Sequence, residues 1–167
     1  MLSMRELQSA DGPVMARAFA AQGEHRSEEQ YRRYYEQSAR GERVVLVAED
    51  EAGLAGYVNI EWLSGYPPFR EAGIPEIADF NVFLRCRRRG IGTALLDEAE
   101  RRIGERSKVA GIGVGLHPGY GAAQILYVRR GYFPDGRGVW QAGRWLQHGD
   151  NAIVNDDLIL YFTKPLP

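Results

Sequence analysis

Hydrophobic positions change their period several times along the chain, and each change marks a predicted element. Val14, Met15, Ala18 and Phe19 share one face at helical spacing after Asp11, a candidate N-cap, so a short first helix should follow the stretch Met4 to Leu7. Ser27, followed by Glu28 and Glu29, opens a second helix to about Arg40, with Tyr31, Tyr34 and Tyr35 on its buried face. The β-branched run Arg43 to Glu49, the turn Asp50 to Gly53 and the alternating segment Gly56 to Trp62 predict a β-hairpin. Two glycines and three prolines make residues 64–75 a loop. Glu76 to Leu84 reads as a strand. Leu95, Leu96, Ala99 and Ile103 make Thr93 to about Arg106 the clearest helix. A strand over Val109 to Leu116, a helix over Ala122 to Arg130 and strands near Val139 to Leu146 and Leu158 to Thr163 complete a mixed α/β order. Hairpins and at least one strand-helix-strand crossover are expected within a single domain spanning residues 1–167.

Composition narrows the function more than the fold. The chain has 167 residues, 44% hydrophobic and 26% charged, and its 21 basic and 22 acidic residues leave a net charge of −1. A soluble domain of this size buries roughly 70% of its unfolded surface and needs no staples. Cys86 is the single cysteine, and His25, His117 and His148 lack ligand spacing, so neither disulfides nor a metal site are expected. No apolar run reaches the ~18 residues of a spanning helix, and Met1 to Gly12 does not resemble a leader, which reads as cytoplasmic. The charge balance argues against nucleic-acid and membrane partners, leaving the basic run Arg85, Arg87, Arg88 and Arg89 to be explained.

That run lies in Asn81 to Leu96, where arginines and two close glycines stand between a strand and a helix. A helix N-terminus presents unpaired N–H groups and positive potential. Gly90 and Gly92 let backbone approach an anion, and the arginines add charge-assisted hydrogen bonds, which together read as a phosphate site. No Gly-Lys-Ser/Thr follows, which excludes a P-loop, and Leu95 stands where a dinucleotide fingerprint needs its third glycine. The alternative is a solvated loop around a tight turn.

Arg87-Arg88-Arg89-Gly90-Ile91-Gly92 resembles the signature of the GNAT superfamily of acyl-CoA-dependent N-acetyltransferases: Arg or Gln, two variable residues, Gly, one variable residue, then Gly or Ala. Downstream, Ala123, Leu126, Tyr127, Arg129, Gly131 and Tyr132 are similar to the family's Ala-x-x-Leu-Tyr-x-Lys-x-Gly-Phe pattern. The resemblance covers nearly the whole chain and looks like a bacterial branch. It implies the GNAT fold, a mixed, mostly antiparallel central sheet flanked by helices and splayed at the cofactor site. It also implies acetyl-CoA (coenzyme A) as cofactor, with Asn81 and Val82 beside pantetheine, the backbone from Arg87 to Thr93, including Ile91, around the pyrophosphate, and Ala123 as a further contact. Tyr120 stands where the family commonly has asparagine.

Acetyl transfer to an amine needs a deprotonated nucleophile, a polarised thioester carbonyl and a proton for the departing thiolate. The resemblance implies Tyr127 as the proton donor; at helical spacing from Ala123 it can equally be core. Asp79 and Asn81 alternate with Phe80 and Val82, so both polar side chains share a face. Asp79 reads as base, substrate ligand or structural acid, and Glu76 at the strand entrance as a second base candidate. Glu24 and His25 fall where the family's acceptor pocket often begins. Tyr66 and Phe69, with Trp62 and the two adjacent prolines, form an apolar cluster that can wall the acceptor pocket or serve as satellite core. The resemblance implies that the late hairpin carrying Trp140 and Trp145 can reach that site or pair with a second subunit, which permits a homodimer without demanding one. Asp150, Asp156 and Asp157 offer attraction for a cationic amine or simply turn residues. Gly111, Gly113 and Gly115 leave one strand face bare, for the pantetheine groove or a closely packed helix.

The leading reading is direct transfer from acetyl-CoA to a primary amine, small-molecule or protein, in a ternary complex, with Cys86 incidental. The runner-up is a non-catalytic acyl-CoA sensor on the same fold.

Overall fold

The computed structural model describes residues 1–167. Its elements are β1 (Ser3–Glu6), α1 (Asp11–Ala20), α2 (Glu28–Ala39), β2 (Arg43–Asp50), β3 (Gly53–Glu61), α3 (Pro67–Ala72), β4 (Glu76–Val82), α4 (Ile91–Gly104), β5 (Val109–Gly115), α5 (Gly121–Arg129), β6 (Phe133–Gln141), β7 (Arg144–Trp145) and β8 (Ile159–Pro165). Eight strands form one sheet in the order β1-β2-β3-β4-β5-β8-β6-β7. Only β4 and β5 run parallel. This is the mixed, mostly antiparallel architecture expected.

Alternating residues of β3 show how the layers attach. A Cβ on Gly56 would approach Leu95 of α4, whereas the Tyr57 ring lies against Phe19 of α1 and Tyr31 of α2. Neighbouring residues of a strand point to opposite faces. The first helix pair therefore covers one face, and α4 covers the other through Leu95, Leu96, Ala99 and Ile103, all fully buried. Ser27 caps α2 as its sequence suggests, its Oγ accepting from the Gln30 amide at 3.2 Å. Of the three tyrosines assigned to the buried face of α2, Tyr31 is buried and Tyr34 half-buried, but Tyr35 is exposed.

One expectation is corrected and one unassigned stretch gains an element. Residues 64–75 are not all loop, because Pro67 and Pro68 occupy the first turn of α3, where no donor N–H is needed, and Gly73 ends it at φ +66°. Met4 belongs to a strand, with β1 pairing antiparallel to β2.

The glycine face of β5 is filled by aromatic rings. A Cβ on Gly111 would fall 2.3 Å from the Phe69 ring, on Gly113 3.0 Å from Tyr161, and on Gly115 2.3 Å from Tyr120. Phe69 joins Tyr66 and Tyr161 in a small second core, where Tyr66 and Tyr161 stack at 3.7 Å and Trp140 and Trp145 pack on Tyr66. Gly111→Ala should therefore overpack this core and cost about 1–3 kcal/mol. Thermal denaturation of the variant measures this; an unchanged midpoint would mean that the ring is free to yield.

Candidate active site

The site begins where β4 and β5 part. They pair only at Glu76↔Gly111 and Ile77↔Ile112. Beyond that point a cleft of about 240 Å³ opens, lined among others by Glu76, Asp79, Asn81, Arg26, Tyr120 and Tyr127. A β-bulge shapes its β4 wall. Tyr57 pairs with Asn81 and Asn59 with Ala78, so Asp79 and Phe80 together oppose Val58. Asp79 takes φ +44°, a strained conformation for a residue with a side chain. Simple alternation is broken, yet Asn81 still meets Asp79, its Nδ2 donating to Oδ1 at 2.9 Å.

The two carboxylates of β4 differ in what surrounds them. Asp79 Oδ2 accepts from Tyr57 at 2.6 Å, Tyr34 at 2.9 Å and Gln30 at 3.3 Å, so its lone pairs are largely occupied. Burial and the Asp79 charge in turn push the Tyr34 phenol up to about 12. Glu76 receives only the Ser64 hydroxyl, on Oε2. Its burial, with the Glu61 charge adding to it, raises the carboxyl to about 7 despite that hydrogen bond. A carboxyl that gains and loses a proton near neutrality, with one oxygen free, suits a general base better than one held by a ring of donors.

Across the cleft, Tyr127 of α5 is 5% exposed, its ring 6.4 Å from that of Phe80. Burial raises its phenol well above the ordinary value, and no hydrogen bond contributes to that shift. The phenol therefore stays protonated, as a proton donor must.

Below the cleft lies the turn into α4. Gly90 is its N-cap at φ +79° with no side-chain cap, and the first turn holds no acidic residue. The amides of Ile91, Gly92 and Thr93 find no acceptor within the protein, the helical ladder starting with Ala94 N–H to Gly90 at 3.0 Å. Such an N-terminus fits a pyrophosphate. The two glycines divide the work: Gly90 supplies the left-handed residue, whereas Gly92 lets Phe80 and Val82 pack, a Cβ there lying 3.0 Å from the Phe80 ring. The basic run divides too. Arg85 and Arg89 bind Asp50 at 3.3 and 2.8 Å, and Arg87 donates through Nε to the Val82 carbonyl at 3.1 Å. Arg88, exposed at φ +60°, makes no ion pair. Cys86 is buried beside Asp50.

Several residues selected from sequence lie elsewhere. Tyr66 and Phe69 do not line the cleft; α3 turns them into the second core, and Tyr161, stacked on Tyr66, reaches the cleft instead. Glu24 and His25 also stay outside it, Glu24 accepting from Gln22 at 2.7 Å. Ala123 packs against the main core. Of the three late acids only Asp156 reaches the cleft, where it accepts from His117 or Tyr120 at 2.8 and 3.2 Å. Arg26, Ser64 and the tyrosines around Asp79 escaped sequence reasoning as site residues; the helical spacing of Tyr34 hinted only at burial.

Comparison with known proteins matches this geometry. The model of the acetyltransferase (GNAT) family matches residues 2–132. No curated protein matches the chain. Among solved structures, a ribosomal-protein-alanine N-acetyltransferase from Brucella melitensis is similar with 24% identity and a TM-score of 0.70, over 98% of this chain and 99% of that one. An N-acetyltransferase from Staphylococcus aureus Mu50 has 13% identity and a TM-score of 0.72, over 100% and 99%. The yncA protein of Salmonella typhimurium, solved with its cofactor acetyl-CoA, has 20% identity and a TM-score of 0.66, over 99% and 94%. At these identities the structures speak for the fold, while the family match speaks for the chemistry, with acetyl-CoA as cosubstrate. The chain belongs to the GNAT acetyltransferase family.

Proposed function

We propose that this protein, as one domain over residues 1–167, moves the acetyl group of acetyl-CoA directly to a primary amine held in the β4–β5 cleft. The observation that carries the reading is that one cleft holds both a carboxyl with a free oxygen, Glu76, which accepts only from Ser64, and the buried Tyr127 phenol. The turn from Arg87 to Thr93 would hold the pyrophosphate by its free amides, with Arg88 adding charge, and Asn81 and Val82 would flank pantetheine where β4 leaves β5. When bound there, acetyl-CoA supplies an activated acetyl thioester.

Glu76 takes a proton from the acceptor ammonium, freeing the nitrogen lone pair to form the N–C bond. Tyr127 gives its proton to sulfur as the C–S bond breaks and regains the second nitrogen proton. Glu76 then releases its own proton to solvent. The sum is ammonium plus acetyl-CoA giving amide, CoA thiol and one proton. Asp79 holds Tyr34, Tyr57 and Asn81 in place rather than moving protons. Acceptors range from the alanine of a ribosomal protein, named for the Brucella relative, to free small amines.

Thiol release from acetyl-CoA with a panel of amines, free amino acids and peptides is the direct test. Turnover with at least one amine, together with calorimetric binding of CoA, is the expected result. CoA binding without thiol release from any acceptor would replace the transferase with a sensor. Failure to bind CoA would remove both.

A further inference from the structure

Arg26 lines the same cleft as the two catalytic candidates, only 29% of its side chain exposed, yet its guanidinium makes no hydrogen bond. Its nearest charged neighbours are Asp79 Oδ1 at 3.7 Å and Glu24 Oε2 at 3.8 Å, close enough to hold the charge but beyond hydrogen-bond reach. The guanidinium also stands over the Phe19 ring, 4.9 Å from its centroid. Its planar donors are spent on nothing within the protein and are not among the fully buried polar atoms, so the fork is open to a ligand that enters the cleft. Asp79 does not, because its oxygens are engaged by Tyr34, Tyr57, Gln30 and Asn81.

We infer that Arg26 binds the carboxylate of the acceptor, and that the acceptor is a free amino acid whose ammonium faces Glu76. This rests on the transferase reading above and narrows its substrate. A guanidinium fork matches a carboxylate with two parallel hydrogen bonds, and a cleft that holds both Arg26 and Glu76 offers a partner to each charge of a zwitterion. Phosphate is the other anion this fork takes. A dianion, however, would meet the carboxylates of Asp79 and Asp156 on the same cleft, so a single negative charge fits better. The volume agrees: about 240 Å³ is below the roughly 300–1,000 Å³ of sites for drug-sized ligands, so the space suits one amino acid beside a thioester.

The experiment compares the twenty amino acids with their carboxamides, in thiol release and in calorimetric titration of the CoA-loaded protein. O-phosphoethanolamine, putrescine and an alanyl peptide serve as rival acceptors. At least one free acid should exceed its carboxamide tenfold or more in kcat/KM, chiefly through KM. Arg26→Gln should bring that ratio to about one while CoA affinity stays unchanged, and Arg26→Lys should restore part of it. Carboxamides, peptide, diamine or phosphoamine matching the best free acid would overturn the inference, as would Arg26→Gln slowing acid and carboxamide alike. A free acid that binds without thiol release would preserve the carboxylate clamp and discard the transferase reading. Binding of neither acid nor carboxamide would discard the clamp.

Discussion

Glu76→Gln should lower kcat by about 10²- to 10⁴-fold, the usual worth of a positioned base, and should abolish the pH limb that the carboxyl creates. With Glu76 near 7, the native rate should rise with pH through neutrality and level off, because only the ionised carboxylate accepts a proton. Glutamine can still engage Ser64, so the cleft keeps its shape. The same substitution should stabilise the fold, by the following linkage. In the folded protein the carboxyl holds its proton up to about pH 7, whereas unfolded it loses the proton near 4.5. The folded state thus binds more protons in that window, and the contribution of Glu76 to stability is full below pH 4.5 and lost as pH rises through 7. The difference corresponds to about 3 kcal/mol. A neutral glutamine escapes it, so at pH 8 the variant should melt higher than the native protein while turning over far more slowly. An unaltered pH–rate profile, or a lower melting point at pH 8, would assign the base elsewhere.

Tyr127→Phe should cost about 10²-fold or more in kcat with little change in acetyl-CoA affinity. The ring keeps its contacts with Phe80 and Tyr132, whose centroids lie 6.4 and 6.1 Å away, so only the proton is removed. Proton donation matters in proportion to the basicity of the departing thiolate. An acetyl thioester of a more acidic thiol should therefore recover most of the lost rate in the variant and gain little in the native protein. Full turnover of acetyl-CoA by Tyr127→Phe would make this residue core alone.

Local pattern made much of this legible. The Ser27 cap, the Leu95, Leu96, Ala99 and Ile103 stripe and the β2–β3 hairpin depend on near neighbours, and each lies where periodicity and turn chemistry put it. The prolines before Gly73 misled because breakers inside a helix are also good residues at its first turn and end. Tyr66 and Phe69 misled for a different reason: composition reveals that an aromatic cluster exists, but whether it faces solvent, ligand or a second core depends on β8, about ninety residues onward, and on Tyr161 stacking there.

The site divides along the same line. A helix start with glycines and arginines is a local property of backbone donors and charge, so residues 87 to 93 could be singled out from sequence alone. Which carboxylate of β4 keeps an unengaged oxygen could not be. Asp79 and Glu76 are three residues apart on one strand, and their difference comes from Tyr34, Tyr57 and Gln30 closing on one and only Ser64 and apolar burial on the other. Arg26 is likewise an ordinary loop arginine until α1 and α2 pack and bring it to the parting of β4 and β5. The sequence by itself determined most of the element order, the family resemblance and the glycine-arginine turn proposed to bind an anion, because these follow from short-range periodicity and spacing; β1 and α3 escaped it. Only the tertiary structure decided which acid is buried with a free oxygen and which cleft cation makes no hydrogen bond, because desolvation and charge pairing are set by residues distant in the chain.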